Sequence, residues 1–530
     1  MSCKYAIAYD IGTTGVKTCI FKISDTITLV SAASAGYKLY VLPDGGAEQD
    51  PQEWWDAMCS TTAKVVAASG LDVKEIDGIS FCSQMQGVVL VDKEGNAVRR
   101  AMSYMDQRAR EELKAGIAYG PQIAGANIVK LLKSLKITGA VAASVKDPVW
   151  KYKWVEKHEP EVFKKVYKWL DVKEYFIVRM TGNCCMTRDS AFATELYDIH
   201  NKCFSKPMCD MLGVNFDHLP EIKESTEKVG ELSEKAASEL GLAPGTPVFG
   251  GGGDASLIGV GAGSVAMGDT HIYSGTSGWV STVVDKSIVD ASAMIAATVG
   301  AEDGIYNYFA ELETAGKCLE WVKDHLALDE IGIYLEKKNI TDGYEAKYTS
   351  LYDYMTDVVS KIPAGSNGVI FTPWLHGNRC PFEDPNARGM FFNISLETGK
   401  SEMIRAVLEG VCYHLRWFLE TEEKKVKTSE KVRFVGGGAL SDLTCQILAD
   451  CTGKIVETVD QPQNVGAMGA AVVVAVGLGE CNSIAEAKKF IPVKKTFMPD
   501  KKLKPVYDKS FAVFKQLYNS NKKNFEALNS

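Results

Sequence analysis

A strand, a tight turn of glycine and threonine or serine, and a second strand occur twice in this chain, about half its length apart. Lys4–Asp10 and Val16–Ile23 each carry β-branched and aromatic residues, and only Ile11-Gly-Thr-Thr-Gly15 lies between them, so the segment reads as a β-hairpin with a glycine-rich tip. His271–Ser274, Gly275-Thr-Ser-Gly278 and Trp279–Val284 repeat the arrangement. The simplest account is a duplicated domain. With 530 residues, 46% of them apolar, the chain has material for more than one hydrophobic core.

Between the repeats, helical patterns such as Gln52–Met58 alternate with apolar runs such as Ile76–Phe81, which predicts α/β layers. Two further glycine clusters stand where a strand gives way to a helix. Gly250–Gly253 follows Pro247–Phe249 and leads into Asp254 and a helix over Ala255–Val260; Gly436–Gly438 follows Val432–Val435 and leads into Ser441 and a helix over Asp442–Cys451. The first cluster makes a natural junction, giving expected domains over 1–249 and 250–530. The charged tracts Lys223–Gly241 and Lys488 onward are expected to be peripheral helices or linkers.

Charge narrows the partners. A formal net charge of −8 repels nucleic acid and anionic membranes. The longest apolar run, Ala467–Leu478, is too short to cross a bilayer, and the N-terminal residues lack the basic and apolar pattern of an export signal. The 14 cysteines show no CxxC pair, and the seven histidines show no metal-ligand or triad spacing. These features predict a cytoplasmic protein with reduced thiols and no membrane or nucleic-acid partner; they do not fix the oligomeric state, and a homodimer stays open.

Asp10-Ile-Gly-Thr-Thr-Gly15 puts a carboxylate at a strand end and small residues in the turn, where backbone N–H groups can approach a phosphate and Asp10 can hold magnesium. Alone it reads equally as an ordinary hairpin turn. It is not a Walker A loop, because no Gly-Lys-Ser/Thr follows. The second turn shifts the balance, since two such turns can bracket a triphosphate. Asp254, after four glycines, reads either as a helix cap or as a general base in a space cleared for a ligand. Gly436-Gly-Gly-Ala439 reads either as tight strand–helix packing or as a surface for a flat nucleobase.

Taken in order, these motifs resemble the FGGY carbohydrate kinase family, and within it the xylulokinase branch. The resemblance spans nearly the whole chain and includes Glu48–Trp55, Gln84-Met-Gln-Gly87, Met105–Arg108, Asp171–Phe176, Phe371–Arg379, Pro385–Gly389 and Val407–Gly410. It implies two actin-like (ribonuclease H-like) α/β ATPase domains flanking a deep cleft, sugar bound mainly by the first and ATP mainly by the second, with magnesium as the cofactor.

By matching position, Asp254 is the implied catalytic base, and Asp10 and Asp254 are the implied magnesium-associated carboxylates. Gln84, Met85, Gln86, Asp106 and Asp254 are implied sugar contacts. Thr13, Thr14, Gly275 and Thr276 are implied phosphate contacts, and Gly316, Gly437, Gly438, Ala439 and Asp442 fall where related kinases hold the nucleotide. The chain departs from the xylulokinase pattern at Gln86, Ala255 and Tyr104-Met105. All lie at the sugar end, so the implied acceptor is a pentulose such as xylulose, or another ketose or polyol of the ribulose, glycerol or erythritol type. An actin-fold ATPase acting on a protein partner is the alternative from another class.

Overall fold

The computed structural model describes residues 3–123, 125–326 and 351–530. It contains two α/β domains, each built on a mixed sheet. Strands of the first run in the order Lys228–Glu231, Pro247–Phe249, Ile76–Ser83, Lys4–Ile11, Gly15–Ile23, Ile27–Gly36, with Gly252–Gly253 also pairing Ile76–Ser83. Those of the second run Val289–Asp290, Ile295–Val299, Tyr306–Leu312, Gly278–Val284, Thr270–Ser274, Lys431–Val435, Ile455–Val459, Val493–Phe497.

The duplication extends well beyond the turns. In each sheet the hairpin strands are antiparallel, the second pairs antiparallel with a third, and the first lies parallel to a strand reached by crossover. A further parallel strand follows on that side in both. Antiparallel neighbours need only a tight turn, whereas the parallel ones need a helix-containing connection, and the first domain supplies Pro51–Ser69 for it. Trp54 and Trp55 bury this helix against the sheet.

One core belongs to both domains. Ala6, Ala8, Cys19 and Phe21 of the first sheet, Trp279, Val435 and Val459 of the second, and helices Asp254–Gly261 and Val465–Gly477 pack in a single cluster. The apolar run near Ala467 is therefore an interior helix, buried continuously from Val465 to Ala475, which is what an all-round apolar helix requires in water. No helix among the described residues is long and apolar enough to cross a membrane.

Two expectations change. Lys223–Gly241 is not simply peripheral: Lys228–Glu231 is an edge strand of the first sheet, followed by helix Glu234–Leu240. Likewise Val493–Phe497 forms the edge of the second sheet before the long helix Lys504–Asn529. Their lysine and glutamate content suits an edge exposed to water, where charge discourages pairing with another chain, and this composition made them read as helix or linker.

Residues between Ile76–Ser83 and Lys228–Glu231 form a layer with its own core around Trp150, Tyr152 and Trp169. Its helix Pro148–His158 reaches back to the sugar-motif loop through Lys151, whose Nζ donates to the carbonyls of Gln86 at 2.6 Å and Ser103 at 3.0 Å.

Candidate active site

Asp254 is the first residue of helix Asp254–Gly261, half-buried, and Gly253 rather than Asp254 occupies the cap position. The capping interpretation of this carboxylate therefore falls away; its only short bond from the helix is the Ala255 amide at 2.8 Å. Burial raises its pKa to about 7, helped by Glu311, Asp10 and Asp171 and opposed by that amide. A carboxyl poised there can be ionised near neutrality and still have useful proton affinity.

The glycines before it serve separate purposes. Gly251 adopts φ +70, and a Cβ there would stand 2.3 Å from the Phe81 carbonyl oxygen, so the chain can pass only without a side chain. A Cβ on Gly253 would collide with Met85 Sδ at 2.2 Å, which places Met85 directly against the approach to Asp254. The Gly253 amide donates to Asp189 Oδ2 at 2.7 Å. Asp189 in turn faces Lys173, which pairs with Glu174 at 2.7 Å, and all three are fully or almost fully buried. Charged groups so deep fix the loop because Lys173 stands between the two carboxylates.

Asp10 ends its strand half-buried and opposite Lys17 in the hairpin register. Burial pushes its pKa up and Lys17 offsets this. The second domain closes over it, for a Cβ on Gly466, in the first turn of helix Val465–Gly477, would lie 2.7 Å from Asp10 Oδ2. Lys17 also donates across the domain seam to the Gln463 carbonyl. Tyr273, two residues before Gly275, feels both Asp10 and Asp254, which with burial raise its phenol. Asp10, Asp254 and the strand leading to the second turn thus share one neighbourhood.

At the turn tips, Thr14 and Thr276 are exposed and Thr13 is half-buried. Thr13 Oγ1 lies 3.5 Å from Tyr104 Oη, and its carbonyl accepts from Gln49 Nε2 at 2.7 Å. Gln84, buried, donates to Gln49 Oε1 at 3.0 Å, so a polar chain joins the sugar-side loop to the phosphate-side turn. Gln86 has φ +62, and its amide and that of Gly87 donate to Asp171 at 2.9 and 2.8 Å.

Asp106 differs from the expected direct sugar contact. It is fully buried, and its oxygens accept from the Ala47 amide at 2.9 Å and Arg108 Nη2 at 2.7 Å. It braces the loop carrying Tyr104 and Met105. The Arg108 side chain is buried too, shared between Asp106 and Glu48 over the Trp154 ring.

On the second domain, helix Gly316–His325 starts against the second turn, with the Gly316 amide donating to the Gly275 carbonyl at 2.7 Å. Gly436 and Gly438 pack on Ser274, where a Cβ would approach to 2.5 and 2.8 Å, whereas Gly437 is exposed with nothing within 4 Å of a Cβ. Within the cluster two glycines pack tightly and one stays open. Ala439 is buried, and Asp442 is exposed and paired with Lys495 at 2.8 Å.

Sequence reasoning missed Lys17, Gln49, Asp189, Glu311 and Arg379. Lys17 alone had a local signal, since a strand residue opposite a terminal carboxylate shares its face. Arg379 lies within the quoted Phe371–Arg379 motif and binds Glu311 at 2.5 Å, a contact across 68 residues that no spacing announces.

Residues 5–261 match the N-terminal domain of the FGGY family of carbohydrate kinases, and residues 271–478 match its C-terminal domain. The chain is 29% identical to the xylulose kinase of Bacillus subtilis (strain 168), with 99% of each covered. It superposes on a ligand-bound xylulose kinase from Lactobacillus acidophilus with a TM-score of 0.83 at 25% identity, covering 99% of this chain and 100% of that one. A gluconate kinase from the same organism gives 0.82 at 25% identity, with the same coverage. With both domains matched in order over this two-domain actin-like fold, the chain belongs to the FGGY family of carbohydrate kinases and is a sugar kinase.

Proposed function

We propose that the protein transfers the γ-phosphate of ATP to a primary hydroxyl of a neutral ketose or polyol, with a pentulose such as xylulose as the leading acceptor, and that Asp254 is the base. The observation that carries this is the placement of Asp254: half-exposed at a glycine-cleared helix start, held near neutrality by burial and neighbouring carboxylates, and in the same neighbourhood as Asp10. Asp254 accepts the hydroxyl proton as its oxygen attacks phosphorus in line. Thr13, Thr14, Gly275 and Thr276 face the phosphates, while Gly316, Gly437, Gly438, Ala439 and Asp442 lie on the nucleotide side. Most of the acceleration comes from positioning and electrostatics.

The donor set fits magnesium. Two carboxyls whose charges are made costly by burial and by each other gain from a hard cation, and Asp10, with Asp254 nearby, would hold it. When bound, the ion would spread the charge of the phosphates.

A carboxylated sugar is the second reading, because a gluconate kinase superposes almost as well. Local charge favours the neutral acceptor. Glu311, Asp171 and Asp10 surround Asp254, Arg379 is engaged by Glu311, and Lys151 is spent on two carbonyls. An aldonate would bring another negative charge. A coupled ADP-release assay over ketopentoses, ketohexoses, polyols, glycerol and gluconate tests this; a clear preference for gluconate would overturn it.

The kcat/KM for the acceptor should climb about tenfold per pH unit below pH 7 and level off above it, because Asp254 must lose its proton to act and its pKa is raised to about 7. A flat profile between pH 5 and 8 would remove Asp254 from the proton transfer. Gly437→Ala should leave the melting temperature unchanged, since a Cβ there meets nothing within 4 Å, yet raise KM for ATP severalfold. Unchanged ATP kinetics would place the nucleotide elsewhere.

A further inference from the structure

Charged neighbours can be followed in a circuit that begins and ends beside the proposed acceptor. Asp254 feels Glu311. Glu311 binds Arg379 at 2.5 Å. Arg379, from the second domain, lies within electrostatic reach of Asp147 in the first. Asp147 and Glu195 interact with one another and both flank Lys151, which holds the Gln86 and Ser103 carbonyls next to Met85 and Tyr104.

The Asp147–Glu195 pair offsets the charge of buried Lys151, but its donors do not satisfy all of its oxygens. Asp147 stands just before helix Pro148–His158 but its side chain makes no cap; Oδ2 accepts from the Ser144 amide at 2.7 Å. Glu195 follows helix Arg188–Ala193 with φ +62, a left-handed conformation that side-chain-bearing residues avoid. Both are more than nine-tenths buried, and two carboxyls in contact must share a proton, which burial favours by raising both pKa values. Among the described residues no N–H or O–H donor reaches Glu195 Oε2. Burying two acids without a full set of donors is costly, and apolar residues of similar size would pack there at less expense. The pair is short of hydroxyl donors, which a polyhydroxy ligand brings.

We infer that Asp147 and Glu195 bind the hydroxyl groups at the end of the acceptor remote from Asp254 and set the preference for a neutral polyhydroxy chain over an aldonate. This rests on the assignment of Asp254 as the base that receives the reacting hydroxyl. With one proton between them, the pair keeps a negative charge and free lone pairs. Sugar hydroxyls can donate to these; a carboxylate offers no donor and is repelled.

The test uses full-length Glu195→Gln and Asp147→Asn, which keep volume and can replace the shared proton with an amide N–H. At saturating ATP, KM for the best neutral acceptor of the panel should rise roughly tenfold or more in each, the loss expected for hydrogen bonds to a charged group. The kcat and the KM for ATP should stay within about twofold, as the reacting hydroxyl and the nucleotide are untouched. The ratio of kcat/KM for gluconate to that for the neutral acceptor should rise by a similar factor. Variants whose acceptor KM and gluconate ratio match the wild type overturn the inference, whether or not they melt earlier, because a purely structural pair alters stability alone. If the wild type prefers gluconate, the neutral-acceptor reading falls and this inference falls with it; if the wild type prefers a neutral acceptor and the variants are unchanged, only the pair's role falls.

Discussion

Asp254→Asn will bind ATP within a few-fold of the wild type while its kcat drops roughly a thousandfold, the scale on which a positioned general base contributes. Asparagine keeps the shape and can still accept the Ala255 N–H, now 2.8 Å from Oδ1, so the helix start is preserved. What it lacks is a lone pair able to take the hydroxyl proton. Removing the charge also relieves its repulsion with Glu311, Asp10 and Asp171. The sign of the stability effect follows. A carboxyl whose pKa is raised from 3.8 to about 7 binds its proton more tightly folded than unfolded, so the wild type loses stability as pH rises through that interval. The variant has no such loss, and its melting temperature should gain on the wild type between pH 4 and 7 and run parallel above. Steady-state kinetics and thermal melts at several pH values check both halves; near-normal turnover by the variant would remove Asp254 as the base.

The parts of this site that could be seen in the sequence are those whose chemistry is local. A turn without bulky side chains between two strands needs Gly12, Thr13, Thr14 and Gly15 in succession, and the pattern survives in Gly275–Gly278, so both hairpins and their carboxylate partner Asp10 were visible. The same holds for Asp254, marked by Gly250–Gly253. The topology beyond the hairpins was not visible, because the parallel pairing of Lys4–Ile11 with Ile76–Ser83 and of Thr270–Ser274 with Lys431–Val435 depends on long crossovers. Asp106 shows the converse failure. An acidic residue in a sugar-site motif reads as a ligand contact, but Arg108 two residues on and Glu48 fifty-eight residues back draw it into a buried ion network. Gln49, Asp189, Glu311 and Arg379 act through partners far along the chain, and polar residues of these types are ordinary surface choices until the fold puts them inside.

Gly261→Ala should destabilise the protein by about 3 kcal/mol and cost activity as well, although the residue touches no substrate. Helices Asp254–Gly261 and Val465–Gly477 cross in the core shared by both domains, and the crossing is so close that a Cβ on Gly261 would lie 1.9 Å from the Val465 carbonyl oxygen. On the opposite side, a Cβ on Gly469 would lie 2.2 Å from the Leu257 oxygen. Both obstacles are backbone, so no rotamer change can accommodate the methyl and the helices must separate. Their starts are the two ends of the site: Asp254 opens one helix, and Gly466, in the first turn of the other, packs on the Asp10 carboxylate. A shift at the crossing therefore changes the spacing of the two carboxylates on which phosphate transfer depends, and positioning errors of this kind are costly in rate. Thermal and denaturant midpoints measured with acceptor kinetics should show the two losses together in Gly261→Ala and in Gly469→Ala, whereas Gly437→Ala, with open space around its Cβ, should move neither midpoint. A Gly261→Ala protein that melts within about a degree of the wild type, less than a loss of this size would shift it, would show that the helices do not meet as described, and the coupling of the two carboxylates through the shared core would go with it.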